Sequence, residues 1–156
     1  MKAVVLLLVL FLTPVYAAYA EENPRKGQAA NIVEAIFRYQ IGKHESEFYF
    51  LELIDKAGES VDPPSGFMRR FSDVKASMQK RTDVKFVRPL NVATDAASGK
   101  PGLVLTVSKL KWISDTEVEA NGFVFAHGLN AEGYSYTLEK RTGKWIVTGD
   151  FLTGMS

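Results

Sequence analysis

The sequence predicts an α+β domain in which an N-terminal helix packs on a strongly bent antiparallel β-sheet. An amphipathic helical pattern near the N-terminus precedes long stretches of alternating apolar and polar residues between Leu103 and Phe151. That alternation changes phase twice, and a strand changes phase only through a bulge or a local bend. A broad apolar helix face needs a sheet to cover it, and the concave side of a bent sheet offers that cover.

The first residues have the features of a secretory signal peptide. Lys2 precedes an unbroken apolar run over residues 3–12, and Ala18-Tyr19-Ala20 matches an A-x-A cleavage site. The run is too short to span a bilayer, and a chain without cysteine has no residue for lipid attachment. We therefore expect a signal peptide over residues 1–20, followed by a single soluble domain over residues 21–156. The protein is expected to be periplasmic or secreted, without stable membrane insertion after cleavage.

Charge and composition narrow the classes of partner. The chain has 19 Lys and Arg against 18 Asp and Glu, and removal of Lys2 with the leader makes the two equal. No basic surplus remains to neutralise phosphates, which argues against nucleic acid as a partner. With no cysteine, an exported chain must draw its stability from its core rather than from disulfides.

The first helix is predicted from Asn23 as N-cap and Pro24 as first helical residue to Ile41, with Gly42 as its C′ terminator. Gln40 continues the apolar stripe, so one amide is expected to face the sheet. The stripe has the spacing i, i+3, i+4, i+7, i+8 and consists of Ala29, Ile32, Val33, Ile36 and Phe37.

The middle of the chain alternates short elements with loops. Residues 47–54 are apolar on both faces, which is typical of a covered strand. Residues 67–74 suggest a short second helix. Residues 84–92 suggest another strand, with Pro89 marking an edge or a bulge. Residues 94–102 are small and polar and are expected to form a mobile loop.

The first long strand, residues 103–114, is expected to bulge near Ser108–Lys109. Leu103, Leu105 and Val107 share one face, whereas Leu110 and Trp112 have the opposite parity.

A second break is expected in the next strand, residues 116–126, at Asn121–Gly122. Phe123 and Phe125 are out of phase with the apolar residues that precede this pair. Counting back from a turn at residues 114–116 places Ser108 roughly opposite Gly122, so the two breaks would bend the hairpin at one level.

The last two strands follow a connection over residues 129–133 and a tight turn at Arg141–Lys144, with Gly143 placed for positive φ. Tyr134, Tyr136 and Leu138 are predicted to share one face, and Trp145 and Val147 alternate with Ile146 and Thr148.

Three stretches carry a family resemblance: the helix IVEAIFRYQ, the hairpin LKWIS–DTEVEANG and the ending GYSYTLEKRTGKWIVTGD. Over most of residues 27–152 the chain resembles the cystatin-like α+β architecture and is similar to secreted bacterial members of the nuclear-transport-factor-2-like superfamily. It departs from that superfamily in having a strand directly after the first helix, where a second helix is common. The Gln-x-Val-x-Gly hairpin of cystatin-type peptidase inhibitors is missing, which argues against that activity.

Enzymes on similar folds abstract protons with a pocket carboxylate and a Tyr or Asp donor, so the resemblance offers Asp150, Tyr39, Tyr134 and Tyr136 as catalytic candidates. Each is more simply explained as part of a cross-strand aromatic pair or as a rim residue. The sequence contains no Gly-x-Ser-x-Gly and no phosphate-binding glycine loop. We therefore assign no catalytic residue from the sequence.

His44 and His127, the two histidines of the chain, lack the paired spacing of a zinc site. Solvated or helix-capping roles suit them better, so we expect no metal and no cofactor.

The functional prediction is an exported, non-catalytic binding or accessory module for a small molecule or a protein. One alternative is a small isomerase, lyase or hydrolase using the cleft between helix and sheet, which needs a carboxylate or His within reach of a second polar group. Another is a homodimer joined through exposed aromatic residues of the sheet, although these rings could instead fill the core. The predicted ligand-binding residues of the cleft are Tyr39, Gln40, Trp112, Tyr134 and Tyr136.

Overall fold

The structure, a computed structural model, describes residues 24–156 and confirms an α+β fold with one long helix packed against a mostly antiparallel sheet. The predicted leader at residues 1–20 and the predicted N-cap Asn23 lie outside the described residues. Between residues 24 and 156, no helix has both the length and the apolarity needed to cross a bilayer. The elements in chain order are α1 (Pro24–Lys43), β1 (Phe48–Ile54), β2 (Ser60–Val61), α2 (Ser65–Met68), β3 (Ser77–Lys80), β4 (Val84–Val87), β5 (Val92–Asp95), β6 (Leu103–Trp112), β7 (Glu117–His127), β8 (Asn130–Arg141) and β9 (Lys144–Met155).

The helix α1 buries the predicted stripe and runs further than predicted. Ile32, Ile36 and Phe37 are fully buried against the sheet. The prediction that Gly42 terminates the helix is wrong, because α1 continues to Lys43. Gly42 is not among the glycines with a positive φ, and Lys43 in the last turn is favoured by the helix dipole.

The strands of the main sheet lie in the order β2-β1-β6-β7-β8-β9, with β3 also pairing with β1. The predicted antiparallel meander is confirmed for β6 to β9. β1 instead runs parallel to both β3 and β6. Parallel pairing is possible here because a long connection separates β1 from β6 along the chain.

The bulge predicted in β6 is confirmed. The pairing of β6 with β7 shifts between Ser108 and Lys111, and Lys109 adopts a positive φ of 51°. After the bulge, Leu110 and Trp112 return to the face that packs on α1.

The second break, predicted at Asn121–Gly122, is wrong. β7 pairs without interruption across these residues. Gly122 is an in-phase core position rather than an interruption, and the apolar side chains of Phe123 and Phe125 belong to the opposite face. The residues of β7 that are buried in regular alternation are Val118, Ala120, Gly122 and Val124.

Gly122 lies where the helix packs on the sheet, and its lack of a side chain leaves room for the groups that meet there. A Cβ at this position would lie 2.6 Å from Cε2 of Tyr136, 2.9 Å from Nε2 of Gln40 and 2.9 Å from the carbonyl oxygen of Thr106. Because the Thr106 oxygen belongs to the backbone of β6, a Cβ at position 122 could be accommodated only if β6 moved.

The single strand predicted over residues 84–92 is instead the hairpin β4–β5, with Pro89 in its turn. Ala93 on β5 packs with Phe50 and Val104 in a second, smaller core. Residues 94–102 are not wholly a loop, because β5 extends to Asp95. The short strand β3 was not predicted.

Three other predictions have mixed outcomes. The predicted helix at residues 67–74 is reduced to α2 and a 3₁₀ turn at Arg69–Phe71. The connection predicted at residues 129–133 is only two residues long, because β8 begins at Asn130. The tight turn is confirmed, with Gly143 at a φ of 81°.

Replacing Gly122 by alanine should lower the free energy of unfolding by about 1–3 kcal/mol, the usual cost of overpacking a core. Denaturant unfolding measures this. Gly154→Ala on β9 is the matched control, because a Cβ there meets no atom within 4 Å, and its effect should stay within about 0.5 kcal/mol. Equal effects of the two substitutions would contradict the packing described for Gly122.

Candidate functional site

The five predicted ligand-binding residues divide between the two ends of α1. Tyr39 and Gln40 on α1 meet Tyr134 and Tyr136 on β8 at the C-terminal end of the helix. Trp112 lies near the other end, where its ring packs edge-on against Trp145 with centroids 5.6 Å apart. The five residues therefore do not line one common site.

Gln40 and Tyr136 form a buried polar contact rather than the wall of an open cleft, since each side chain is only 1% exposed. Nε2 of Gln40 donates to the Tyr136 hydroxyl at 3.2 Å and to the carbonyl oxygen of Thr106 at 3.3 Å. Burial raises the pKa of Tyr136, against the opposing effect of the hydrogen bond from Gln40. A ligand would have to displace the core to reach either side chain.

The remaining residues at this end form a partly exposed rim cluster, which we define as Tyr39, Lys43, His44, Glu132, Tyr134 and Asp150. Nζ of Lys43 lies 2.6 Å from Oδ2 of Asp150. The hydrogen bond from Lys43 lowers the pKa of Asp150 below its ordinary value. The same contact raises the pKa of Lys43.

The second half of the rim cluster centres on Glu132. The Tyr134 hydroxyl donates to Oε2 of Glu132, and Nε2 of His44 lies 3.9 Å from the same oxygen. Burial, reinforced by this carboxylate, raises the pKa of Tyr134 to about 12.

Asp150 and Tyr134 are poorly matched to proton transfer at neutral pH. A general acid or base works best with a pKa near the working pH. Asp150 has a lowered pKa and is neutralised by Lys43, whereas Tyr134 holds its proton more firmly than an ordinary tyrosine. The rim cluster ties the end of α1 to β8 and β9. Its member Tyr134 also lines a cavity of about 610 Å³ on the outer face of the sheet, which neither Glu132 nor Asp150 lines.

An open part of the space between helix and sheet lies elsewhere, at the β6 bulge. The parallel pairing of β1 with β6 ends at Leu53 and Val107. Beyond that point β1 pairs with β2, while β6 bulges at Lys109, so the two strands diverge. The gap forms a cavity of about 660 Å³, which we call the bulge cavity. Its apolar lining comes from Val33, Leu53, Ile54, Val61, Val107 and Leu110.

The polar residues at the bulge cavity differ in how far they are already engaged. Oδ1 of Asp55 accepts hydrogen bonds from the backbone N–H groups of Ala57, at 2.8 Å, and Glu59, at 3.0 Å. Lys56 and Lys109 also line the cavity and are exposed. Within residues 24–156 neither lysine forms an ion pair.

A second cavity, of about 610 Å³, lies on the outer face of the sheet and has a more polar lining. Glu52 in its wall is already satisfied, because its carboxylate accepts from the hydroxyls of Ser60 at 2.5 Å and Thr106 at 2.7 Å. Nε of Arg81 lies 3.4 Å from the same carboxylate. The carboxylate of Glu52 is thus already occupied by its neighbours and is not free to hold a polar ligand.

Sequence reasoning missed the lining of the bulge cavity but identified its cause. The phase change at Ser108–Lys109 predicted the bulge, and the bulge separates β6 from β1. The position of β1 beside β6 could not be inferred, because their pairing joins segments about fifty residues apart in the sequence.

No metal centre is formed by the part of the chain that the structure describes, since no three His, Asp or Glu side chains come together there.

Comparison of the chain with family models, curated proteins and solved structures gives no match.

The raised pKa values of Tyr134 and Tyr136 predict a loss of stability at alkaline pH. Above pH 10 the unfolded tyrosines lose their protons while the folded ones keep theirs to about pH 12 or higher, so the free energy of unfolding falls as the pH rises. Urea unfolding between pH 8 and pH 12 measures this slope, which should be shallower in the double variant Tyr134→Phe/Tyr136→Phe. An unchanged slope in the variant would contradict the assignment.

Proposed function

We propose that the protein is an exported, non-catalytic binding or accessory module with the cystatin-like, nuclear-transport-factor-2-like architecture. In this proposal the ligand is a small, largely apolar molecule that occupies the bulge cavity. Export is supported by the features of residues 1–20, and the architecture by a helix packed on a bent sheet. Fold alone does not determine function, so the activity is argued from the cavity.

The observation that carries the proposal is the combination of volume and lining at the bulge cavity. Its volume of about 660 Å³ falls within the range of about 300–1,000 Å³ found for small-molecule sites, which are mostly apolar with few polar groups. Asp55, the carboxylate among its lining residues, already accepts two backbone hydrogen bonds. A largely apolar cavity whose carboxylate is already held by the backbone favours binding over catalysis.

The neutral dye Nile red tests the proposal, because it reports an apolar environment without depending on charge. We expect saturable binding of one dye per chain. Val61→Trp, which places a large ring in the cavity wall, should weaken binding at least tenfold. Fluorescence titration of the purified chain gives both values.

Val87→Trp on β4 is the matched control, since Val61 is 40% and Val87 43% exposed and Val87 is not among the lining residues. It should leave dye binding unchanged. Absence of saturable binding, or equal loss in both variants, would overturn the proposal.

The homodimer remains a second candidate because of β9. Among the strands of residues 24–156, β9 is at the end of the sheet and pairs on one edge only, and its Phe151 is 73% exposed. An unpaired edge with exposed apolar side chains is suited to pairing with another strand. Light scattering on the samples used for dye binding separates the candidates: a binding module acting alone has the mass of one chain, and a dimer has twice that mass.

A further inference from the structure

We infer that the ligand of the bulge cavity is an amphipathic anion: a single apolar chain with a carboxylate head group. This inference rests on the proposed function and names its ligand class. The apolar chain would occupy the cavity, and the head group would remain at the mouth between Lys56 and Lys109.

Charge at the mouth is the first argument. Lys56 lies in the turn after β1 and Lys109 at the β6 bulge, so two different elements bring an ammonium group to the same cavity. Neither ammonium is paired with a carboxylate of residues 24–156. Asp55 is the acidic residue of the lining, so positive groups outnumber negative ones there. A free carboxylate is the complement of such a mouth.

The division of the lining is the second argument. Asp55, Lys56 and Lys109 are exposed, whereas most of the apolar lining is buried or half-buried: Val33, Leu53, Ile54, Val107 and Leu110. Lysine keeps its ammonium in water while its alkyl stem covers apolar surface, which suits it to the boundary between a buried chain and a solvated head group. A fully apolar ligand would leave both lysines without a role.

The backbone at Lys109 adds a constraint on the position of its side chain. Lys109 has a φ of 51°, a conformation uncommon for residues other than glycine, asparagine and aspartate. The bulge that opens the cavity therefore also sets the backbone conformation of Lys109, which carries one of the two charges. Asparagine tolerates this conformation, so Lys109→Asn removes the charge without opposing the local backbone.

Displacement of Nile red by two amphiphiles of opposite charge tests the inference; the alkyl chain of the anion is shorter by one methylene, so chain length does not favour it. Decanoate, decyltrimethylammonium and the dye are used below the micelle concentration of each amphiphile. Decanoate should bind roughly tenfold more tightly than decyltrimethylammonium, which is within the range that two exposed ion pairs supply. The difference should shrink as the ionic strength is raised, because salt screens exposed charges.

The double variant Lys56→Gln/Lys109→Asn should weaken decanoate about tenfold and strengthen decyltrimethylammonium. Opposite changes for the two ligands could not come from misfolding. Lys85→Gln on β4 is the control, since Lys85 is exposed and not among the lining residues, and it should change neither affinity. Equal affinities of the wild-type chain for the two amphiphiles would overturn the inference, as would a double variant that binds both more weakly to the same extent. The proposed function would still stand as long as the dye binds. Failure of dye binding would overturn the proposed function itself.

Discussion

The structure depends on the packing of α1 against the concave face of the sheet, and the buried Gln40 bonds the helix to two strands of that sheet. Its amide nitrogen joins the helix to Thr106 on β6 and to Tyr136 on β8, while its Oε1 has no hydrogen-bond partner among the described residues. A buried polar atom without a partner costs about 1–3 kcal/mol, so this arrangement is stable only because the apolar stripe around it is buried. Gly122 supplies the space that the amide and the tyrosine ring require.

The same packing explains why the open cavity lies at the side of α1 rather than among the predicted ligand-binding residues. Large side chains of α1 and β8 fill the concave face as far as the rim cluster, where charges neutralise one another. At the β6 bulge neighbouring strands separate and leave space beside Val33. The bulge therefore has two consequences: it returns Leu110 and Trp112 to the core, and it opens the cavity next to Leu110.

Local patterns predicted the elements that local interactions determine. The stripe of α1, the bulge in β6 and the turn at Gly143 each follow from the spacing of neighbouring residues. The glycine at position 122 misled the phase analysis, because a residue without a side chain gives no sign of the face on which it lies.

The lining of the cavity could not be predicted, because it assembles Val33, Leu53 and Val107 from segments far apart in the sequence. Periodicity identifies which side chains are buried, but it does not specify which distant segments meet. Gln40 stands out in the sequence as an amide on an apolar helix face, and Tyr136 as one of the aromatic residues of the sheet. In the structure these two side chains meet and join the helix to the sheet.

The most direct test of this account is a nuclear Overhauser measurement between the side-chain amide protons of Gln40 and the ring protons of Tyr136. The account predicts strong cross-peaks between them, together with slow exchange of those amide protons with water, because the group is buried between α1 and the sheet. Rapid exchange without cross-peaks to Tyr136 would mean that α1 does not lie in the concave face, and the cavity at its side would not exist in the form described.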